Sequence, residues 1–168
     1  MFKPAALAKW LSGLLTLAVL AACGFQLRGE HPVPFRTVAV QTSGYSELAE
    51  QLRRALREQG QAQVVADVTQ AEAVVVLLKD SQEKNIISID VSGRAREFEL
   101  VRKLEYVVRL PNVEDPLMPL VVVAKRDLTY SDNQLLAKTI EEQQLYRDMQ
   151  QDMIRQILRR MQAMQVSH

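Results

Sequence analysis

The sequence is poor in the residues on which most enzymes and disulfide-bonded domains depend. It contains one cysteine and two histidines among 168 residues. The single cysteine, Cys23, excludes an internal disulfide bond. The histidines are His31 and His168, so a histidine-based triad or metal cluster is not expected. No P-loop, GxGxxG or HExxH motif is present. We therefore expect a protein that is not an enzyme and that has no cofactor and no metal.

The sequence also lacks an excess of charge of one sign, because 21 basic residues face 20 acidic ones. Such a balance gives no long-range attraction to polyanions, and we expect no nucleic-acid partner. An anionic ligand would have to be bound by a local cluster of cations. Glu97, Glu99 and Glu105 alternate along a predicted exposed strand face, and Glu141 and Glu142 fall on a predicted helix surface. Solvated faces explain these carboxylates better than paired acid and base roles.

The first 23 residues have the layout of a secretory signal. Lys3 and Lys9 provide a basic start, residues 10–20 are mostly apolar, and two alanines precede Cys23. The apolar run is too short for a bilayer-spanning helix, which needs about 20 residues. The sequence Leu-Ala-Ala-Cys at 20–23 resembles the lipobox of bacterial lipoproteins. That resemblance implies cleavage after Ala22 and acylation of Cys23.

The alternative is an ordinary cleaved signal followed by an incidental cysteine. A lone cysteine at the cleavage position of an exported chain favours an attachment point, and several acyl chains would anchor the protein stably. By resemblance to lipoprotein sorting in Gram-negative cells, Gly24 after the cysteine favours the outer membrane. We predict a signal peptide at 1–22, a lipidated tether at 23–36 and a single domain at 37–168.

The rest of the chain predicts an α+β domain. Its predicted elements are a strand at 37–41, a helix at 46–59, strand character at 73–79 and 86–91, strands at 94–110 and 120–130, and a helix from Asp132 or Asn133 to about Met164. The strand at 94–110 shows a period of two, which is typical of a half-buried antiparallel strand. We expect a two-layer sandwich in which two helices pack on a mostly antiparallel four-stranded sheet, in the order β-α-β-β-β-α.

Apolar periodicity identifies the faces expected to be buried. On the last helix the stripe follows helical spacing; its members are Tyr146, Met149, Met153, Ile154, Ile157, Leu158, Met161 and Met164. On the strand at 94–110 one face carries Phe98, Leu100, Leu104, Tyr106, Val108 and Leu110. Arg102 is the only charged residue on that face between positions 98 and 110, and the pattern leaves it unexplained.

Several segments resemble the lipopolysaccharide-assembly lipoprotein family, LptE. The resemblance begins with the sequence CGFQLRG at 23–29, directly after the predicted cleavage site. It continues in SDNQLLAK at 131–138, in QDMI at 151–154 and in the order of the secondary-structure elements. It covers essentially the whole mature chain.

The resemblance implies a role without covalent chemistry. LptE proteins plug the lumen of the LptD β-barrel, and the two together place lipopolysaccharide in the outer leaflet of the outer membrane. LptE also supports assembly of the barrel and can bind lipopolysaccharide. The expected partners are therefore an LptD-like β-barrel, lipopolysaccharide and the outer membrane, to which the chain would be lipid-anchored on its periplasmic face.

Lipopolysaccharide carries phosphates, so clustered cations are candidate contacts. Lys138 lies near the start of the last helix, where the helix dipole disfavours a cation and an anion would be welcome. The resemblance also places Lys138 at a basic position of the family's Ala-Lys segment. The alternative is a surface lysine that pairs with Glu141 or Glu142.

Arg94 and Arg96 are the second candidates. They lie two residues apart, directly after a predicted turn at Ser92 and Gly93, and they therefore point the same way. They could bind phosphate, or they could serve as charges that prevent strand ends from aggregating. We predict Lys138, Arg94 and Arg96 as lipopolysaccharide contacts. The competing function is a structural envelope lipoprotein that binds peptidoglycan or another outer-membrane assembly.

Overall fold

The computed structural model describes residues 33–58, 62–111, 118–130 and 135–164. The predictions for the signal peptide, for Cys23 and for most of the tether lie outside these residues. So does the predicted start of the last helix at Asp132 or Asn133.

The described residues form five strands, two α-helices and one short 3-10 turn. In chain order they are β1 (Thr37–Gln41), α1 (Glu47–Glu58), β2 (Gln63–Val64), the 3-10 turn (Val68–Gln70), β3 (Ala73–Ile89), β4 (Ala95–Arg109), β5 (Leu120–Thr129) and α2 (Leu135–Gln162). The predicted α+β class is confirmed, with one strand more than expected.

The strands form one mixed sheet in the order β2-β1-β3-β4-β5. The pairs β1–β2 and β1–β3 are parallel, whereas β3–β4 and β4–β5 are antiparallel. A parallel pair needs a crossover connection, and α1 lies in the connection between β1 and β3. The strand missed by sequence reasoning is β2, whose two residues are too few to show a period.

A second difference concerns β3, which the sequence suggested as two separate stretches. The structure has one strand of 17 residues. Its middle, DSQEKN at 80–85, has few residues that favour strands. It is nevertheless strand because every one of these residues pairs with β4, from Asp80 opposite Leu104 to Asn85 opposite Glu99.

Both helices bury the faces that their spacing predicts. Helix α1 buries Leu48, Leu52 and Leu56, and Ser46 caps it by accepting a hydrogen bond from the Ala49 N–H at 3.2 Å. Helix α2 buries the predicted stripe from Met149 to Met161. The helices and one face of the sheet enclose the main core, which includes Val38, Val75, Leu100, Leu104 and Tyr106.

Arg102 is buried in this core, at 5% exposure, and is not an interruption of the apolar face. Its Nε and Nη2 donate to the two carboxylate oxygens of Asp80 on β3, at 3.1 and 2.7 Å. Its Nη1 donates to Gln150 Oε1 and to the Tyr146 carbonyl on α2. Arg102 therefore joins both strands of the β3–β4 hairpin to the long helix.

Candidate functional site

The β3–β4 hairpin ends in a tight turn that positions Arg94. Gly93 adopts a φ of +79°, which is favourable only without a side chain, and its N–H donates to the Asp90 carbonyl at 2.9 Å. The Asp90 carboxylate accepts the backbone N–H groups of Ser92 and Arg94, at 2.8 and 3.0 Å. The turn predicted at 92–93 is confirmed, and Asp90 is the residue that organises it.

The Arg94 side chain projects from this turn and is 65% exposed. Its Nε donates to Asp90 Oδ2 at 3.1 Å. The Arg94 backbone N–H holds the pKa of Asp90 below its ordinary value; the Ser92 N–H and the Arg94 guanidinium act in the same direction, and partial burial opposes them. Asp90 is therefore ionised at neutral pH.

Arg96 lies two residues further along, at the start of β4. Its backbone carbonyl accepts a hydrogen bond from the Tyr130 N–H at 2.7 Å, which fixes this end of β4 beside the end of β5. Its side chain is exposed. Among the described residues no acidic group forms an ion pair with it.

Lys138 lies in the first turns of α2. Its Nζ donates to Glu141 Oε2 at 2.8 Å, and its side chain is only 16% exposed, whereas that of Glu141 is 48% exposed. Of the two predicted partners, Glu141 is the one used. Glu142 instead accepts from Lys84 Nζ, at 2.6 Å.

Lys84 is a further cation at this end of the fold, and sequence reasoning missed it. Its Nζ lies 4.4 Å from the centre of the Phe98 ring, a cation-π geometry. Phe98 in turn packs edge-on against Tyr130 at 5.7 Å. No sequence signal marked Lys84, because it lies in the polar middle of β3.

Helix α2 runs along the hairpin toward its turn, and successive contacts trace this path. Gln150 meets Arg102, the Tyr146 hydroxyl donates to the Glu83 carbonyl at 3.2 Å, and Glu142 meets Lys84. Lys138 lies one helical turn beyond Glu142 in the same direction. We call this end of the fold the distal end, defined by residues 84–96 of the hairpin and 135–142 of α2. It contains all three predicted cations together with Lys84.

The distal end also exposes large aliphatic side chains. The exposed fractions are 60% for Ile86, 53% for Ile87, 63% for Ile89 and complete exposure for Val91. On the helix the exposed members are Leu135, Leu136 and Ile140. On the hairpin, Ile86 pairs with Phe98 and shares a face with Arg96, whereas Ile89 pairs with Ala95 and lies on the opposite face.

A polar cleft away from the distal end is a weaker candidate for an anion site. It has a volume of about 300 Å³ and lies between the loop at 42–46 and β3. Its guanidinium, Arg102, is already bonded to Asp80 and Gln150. Across the described ranges no three His, Cys, Asp or Glu side chains are grouped as metal ligands would be, and no helix is long and apolar enough to span a membrane.

These features define a class of protein: a two-layer α+β domain whose surface presents a cationic and aliphatic end. Solved structures of bacterial lipoproteins share the fold. The solution structure of uncharacterised lipoprotein B from Nitrosomonas europaea matches with a TM-score of 0.73 at 34% identity, covering 83% of this chain and 91% of that one. The crystal structure of the rare lipoprotein B from Shewanella oneidensis matches with a TM-score of 0.66 at 28% identity, covering 74% and 92%.

The sequence comparisons are more specific. The sequence model of the family LptE, described as lipopolysaccharide-assembly, matches residues 35–161. The LPS-assembly lipoprotein LptE of Pectobacterium atrosepticum is 33% identical over 159 residues, which cover 91% of this chain and 80% of that protein. The protein of the same name from Photorhabdus laumondii is 30% identical over 158 residues, covering 90% and 84%. The chain belongs to the LptE family.

Proposed function

We propose that this chain is an outer-membrane lipoprotein that plugs an LptD-like β-barrel and helps to assemble lipopolysaccharide into the outer leaflet. Its membership of the LptE family supports this role, and its relatives carry the name LPS-assembly lipoprotein. The function is binding and assembly, without covalent chemistry. Under this proposal residues 1–22 are removed, residues 23–36 form a lipidated tether on the periplasmic face, and residues 37–168 form the working domain.

The observation that carries lipopolysaccharide binding is the concentration of cations at the distal end. Arg94 is 65% exposed and Arg96 has an exposed side chain, so both can reach a phosphate. Lys138 is held by one partly exposed carboxylate, Glu141. Glu141 is 48% exposed, and under this proposal a phosphate replaces its carboxylate, which keeps the mostly buried Lys138 paired with an anion. An Arg-phosphate contact is stronger because it is charge-assisted and can be bidentate.

The test is the variant in which Lys138, Arg94 and Arg96 are replaced together by serine. We expect it to capture lipopolysaccharide about tenfold or more weakly while keeping its unfolding transition, because none of the three contributes to the core. A charge-matched control replaces Arg54, Arg57 and Arg159 by serine, since these are exposed cations elsewhere on the two helices. Equal capture by the site variant, the control and the parent chain would remove this site assignment.

The barrel partner is tested separately by co-purification. Gentle detergent extraction should recover a large β-barrel protein in equal amount with this chain. Recovery on peptidoglycan with no barrel would favour the alternative of a structural envelope lipoprotein. Replacement of Cys23 by serine should abolish incorporation of labelled fatty acid into the chain; unchanged incorporation would contradict the lipid anchor.

A further inference from the structure

Lys84 lies on the same face of the sheet as Arg96. It pairs across the hairpin with Leu100, and directly opposed residues of an antiparallel pair point to the same side. Arg96, Phe98 and Leu100 alternate along β4, so they share that side as well. Because Leu100 belongs to the core beneath the helices, this is the side of the sheet on which α2 lies. Lys84 and Arg96 are therefore two cations of one surface.

Two neighbouring carboxylates of α2 each hold one lysine of this surface. Glu142 accepts a hydrogen bond from Lys84 Nζ at 2.6 Å, and Glu141 accepts one from Lys138 Nζ at 2.8 Å. Lys138 precedes Glu142 by one helical turn, so the two side chains lie on the same side of α2. Both lysines are thus neutralised by carboxylates of the same helix.

The position of the Lys84 ammonium does not depend on Glu142 alone. Its Nζ also lies 4.4 Å from the centre of the Phe98 ring, where the face of the ring attracts a cation. Phe98 is itself fixed, because it packs against the main core and edge-on against Tyr130. If Glu142 lost its charge, the ammonium would keep its place over the ring and would lack an anion.

The pair of Lys84 and Glu142 is also not the only contact that holds α2 on the hairpin. The Tyr146 hydroxyl donates to the Glu83 carbonyl at 3.2 Å, and the buried Arg102 network joins the helix to both strands further along. The side chains of Lys84 and Glu142 are 32% and 25% exposed, so solvent weakens their attraction. An anion from solvent can therefore compete for the ammonium while the other contacts keep the helix in place.

We propose that Lys84 is a fourth phosphate contact of the distal end and that Glu142 competes with the ligand for it. This inference rests on the proposed function and deepens it, because it adds a contact to Arg94, Arg96 and Lys138 and names a residue that limits the affinity. A phosphate that reaches the Lys84 ammonium meets a carboxylate already bound there, and the two anions repel each other. The charge of Glu142 therefore opposes binding at the same atom that favours it.

The experiment measures lipopolysaccharide affinity on the full chain, purified in detergent as the cell processes it. The variants are Glu142→Gln, Lys84→Gln and the two combined, because glutamine keeps most of each side chain and removes its charge. The charge-matched control is Glu50→Gln, which takes a carboxylate from another surface ion pair, with Arg53 on α1, outside the distal end.

We expect Glu142→Gln to bind lipopolysaccharide about threefold more tightly than the parent chain and than the control, because it removes the competing anion and breaks only a partly exposed ion pair. Lys84→Gln should bind about fivefold more weakly, since it removes a charge-assisted hydrogen bond. Adding Glu142→Gln to Lys84→Gln should raise the affinity no more than the control substitution does, because no ammonium is left to release. Circular dichroism and the urea-unfolding transition should be unchanged in all of them.

A purely structural ion pair gives the opposite result. In that case Glu142→Gln lowers the unfolding midpoint and leaves the affinity unchanged or weaker, which overturns the proposal. An equal gain from Glu142→Gln with and without Lys84 would show a general effect of charge and would overturn it as well. If the parent chain binds no lipopolysaccharide, the proposed function itself fails. If the parent binds and the triple serine variant does not, while Glu142→Gln brings no gain, only the role of Lys84 fails.

Phosphatidylglycerol vesicles distinguish the source of the phosphate. Each of these lipids carries one phosphate, so it cannot contact several of the cations at once. The vesicles should not displace lipopolysaccharide from the parent chain at equal phosphate concentration. Displacement would overturn the assignment of Lys84 to lipopolysaccharide.

Discussion

The buried Arg102 network leads to the sharpest stability prediction. Replacing Arg102 by methionine keeps most of the side-chain volume but removes the donor to Gln150, which is only 3% exposed. Gln150 Nε2 already has no hydrogen-bond partner among the described residues, so the variant leaves both ends of this amide unsatisfied. A buried polar group without a partner costs about 1–3 kcal/mol. Asp80 adds little to this cost, because its side chain is 30% exposed and can turn to water.

We therefore expect Arg102→Met to lower the free energy of unfolding by about 2 kcal/mol. The double variant Arg102→Met with Gln150→Leu removes both polar partners, and replacing a whole buried polar set by apolar groups of similar size is often neutral or stabilising. It should lie within about 1 kcal/mol of the parent chain. Urea unfolding followed by circular dichroism measures the free energy of unfolding of the parent chain and of both variants, each produced without residues 1–23.

The change in stability when Gln150→Leu is added to Arg102→Met tests whether the unsatisfied amide causes the loss. If Gln150→Leu makes Arg102→Met less stable, the unsatisfied amide is not the source of the loss, and the reasoning is refuted. A matched control is Gln156→Leu on the same helix, which is outside the network and should not rescue Arg102→Met.

Two further predictions concern the hairpin turn. Gly93→Ala should lower the free energy of unfolding in urea by about 1 kcal/mol, because a residue with a side chain is strained at a φ of +79°. No neighbouring atom meets the new Cβ, so the loss comes from the backbone alone. An unchanged unfolding midpoint would contradict this prediction. The lowered pKa of Asp90 means that its contribution to stability is complete above the ordinary carboxyl pKa and is lost as the pH falls through the lower folded-state pKa. NMR titration should find the pKa of Asp90 below its ordinary value, and Asp90→Asn should make stability less dependent on pH in the acid range. A pKa at the ordinary value would refute the assignment.

Sequence periodicity was sufficient for the elements that bury a regular face. The bounds of α1, α2 and β4 were predicted to within a few residues, and the buried stripe of α2 and the alternation of β4 were predicted residue by residue. Periodicity failed where pairing with a neighbouring strand overrides the intrinsic secondary-structure preference of the residues. The polar middle of β3 is strand only because β4 lies beside it, and β2 exists only because β1 offers it a parallel edge.

The residues of the candidate site also divide into those that the sequence could predict and those that it could not. Arg94, Arg96 and Lys138 could be named from turn signals, helix position and family resemblance. Lys84 could not, because only the register between β3 and β4 puts it over Phe98. Likewise Arg102 broke the alternation of β4 in the sequence, and its partners Asp80 and Gln150 lie 22 and 48 positions away. Contacts at such separations follow from the fold and leave no local pattern.

The length of the β3–β4 hairpin has a consequence for its dynamics. At its base Val75 and Tyr106 are completely buried, so amide exchange there requires opening of the whole core. At the other end Ile89 and Ala95 are paired next to two register shifts, Ile89 is 63% exposed and Ala95 is partly exposed, so exchange there needs only local fraying. One continuous pair of strands thus contains a rigid segment and a compliant one. The compliant segment can therefore change conformation without opening the core.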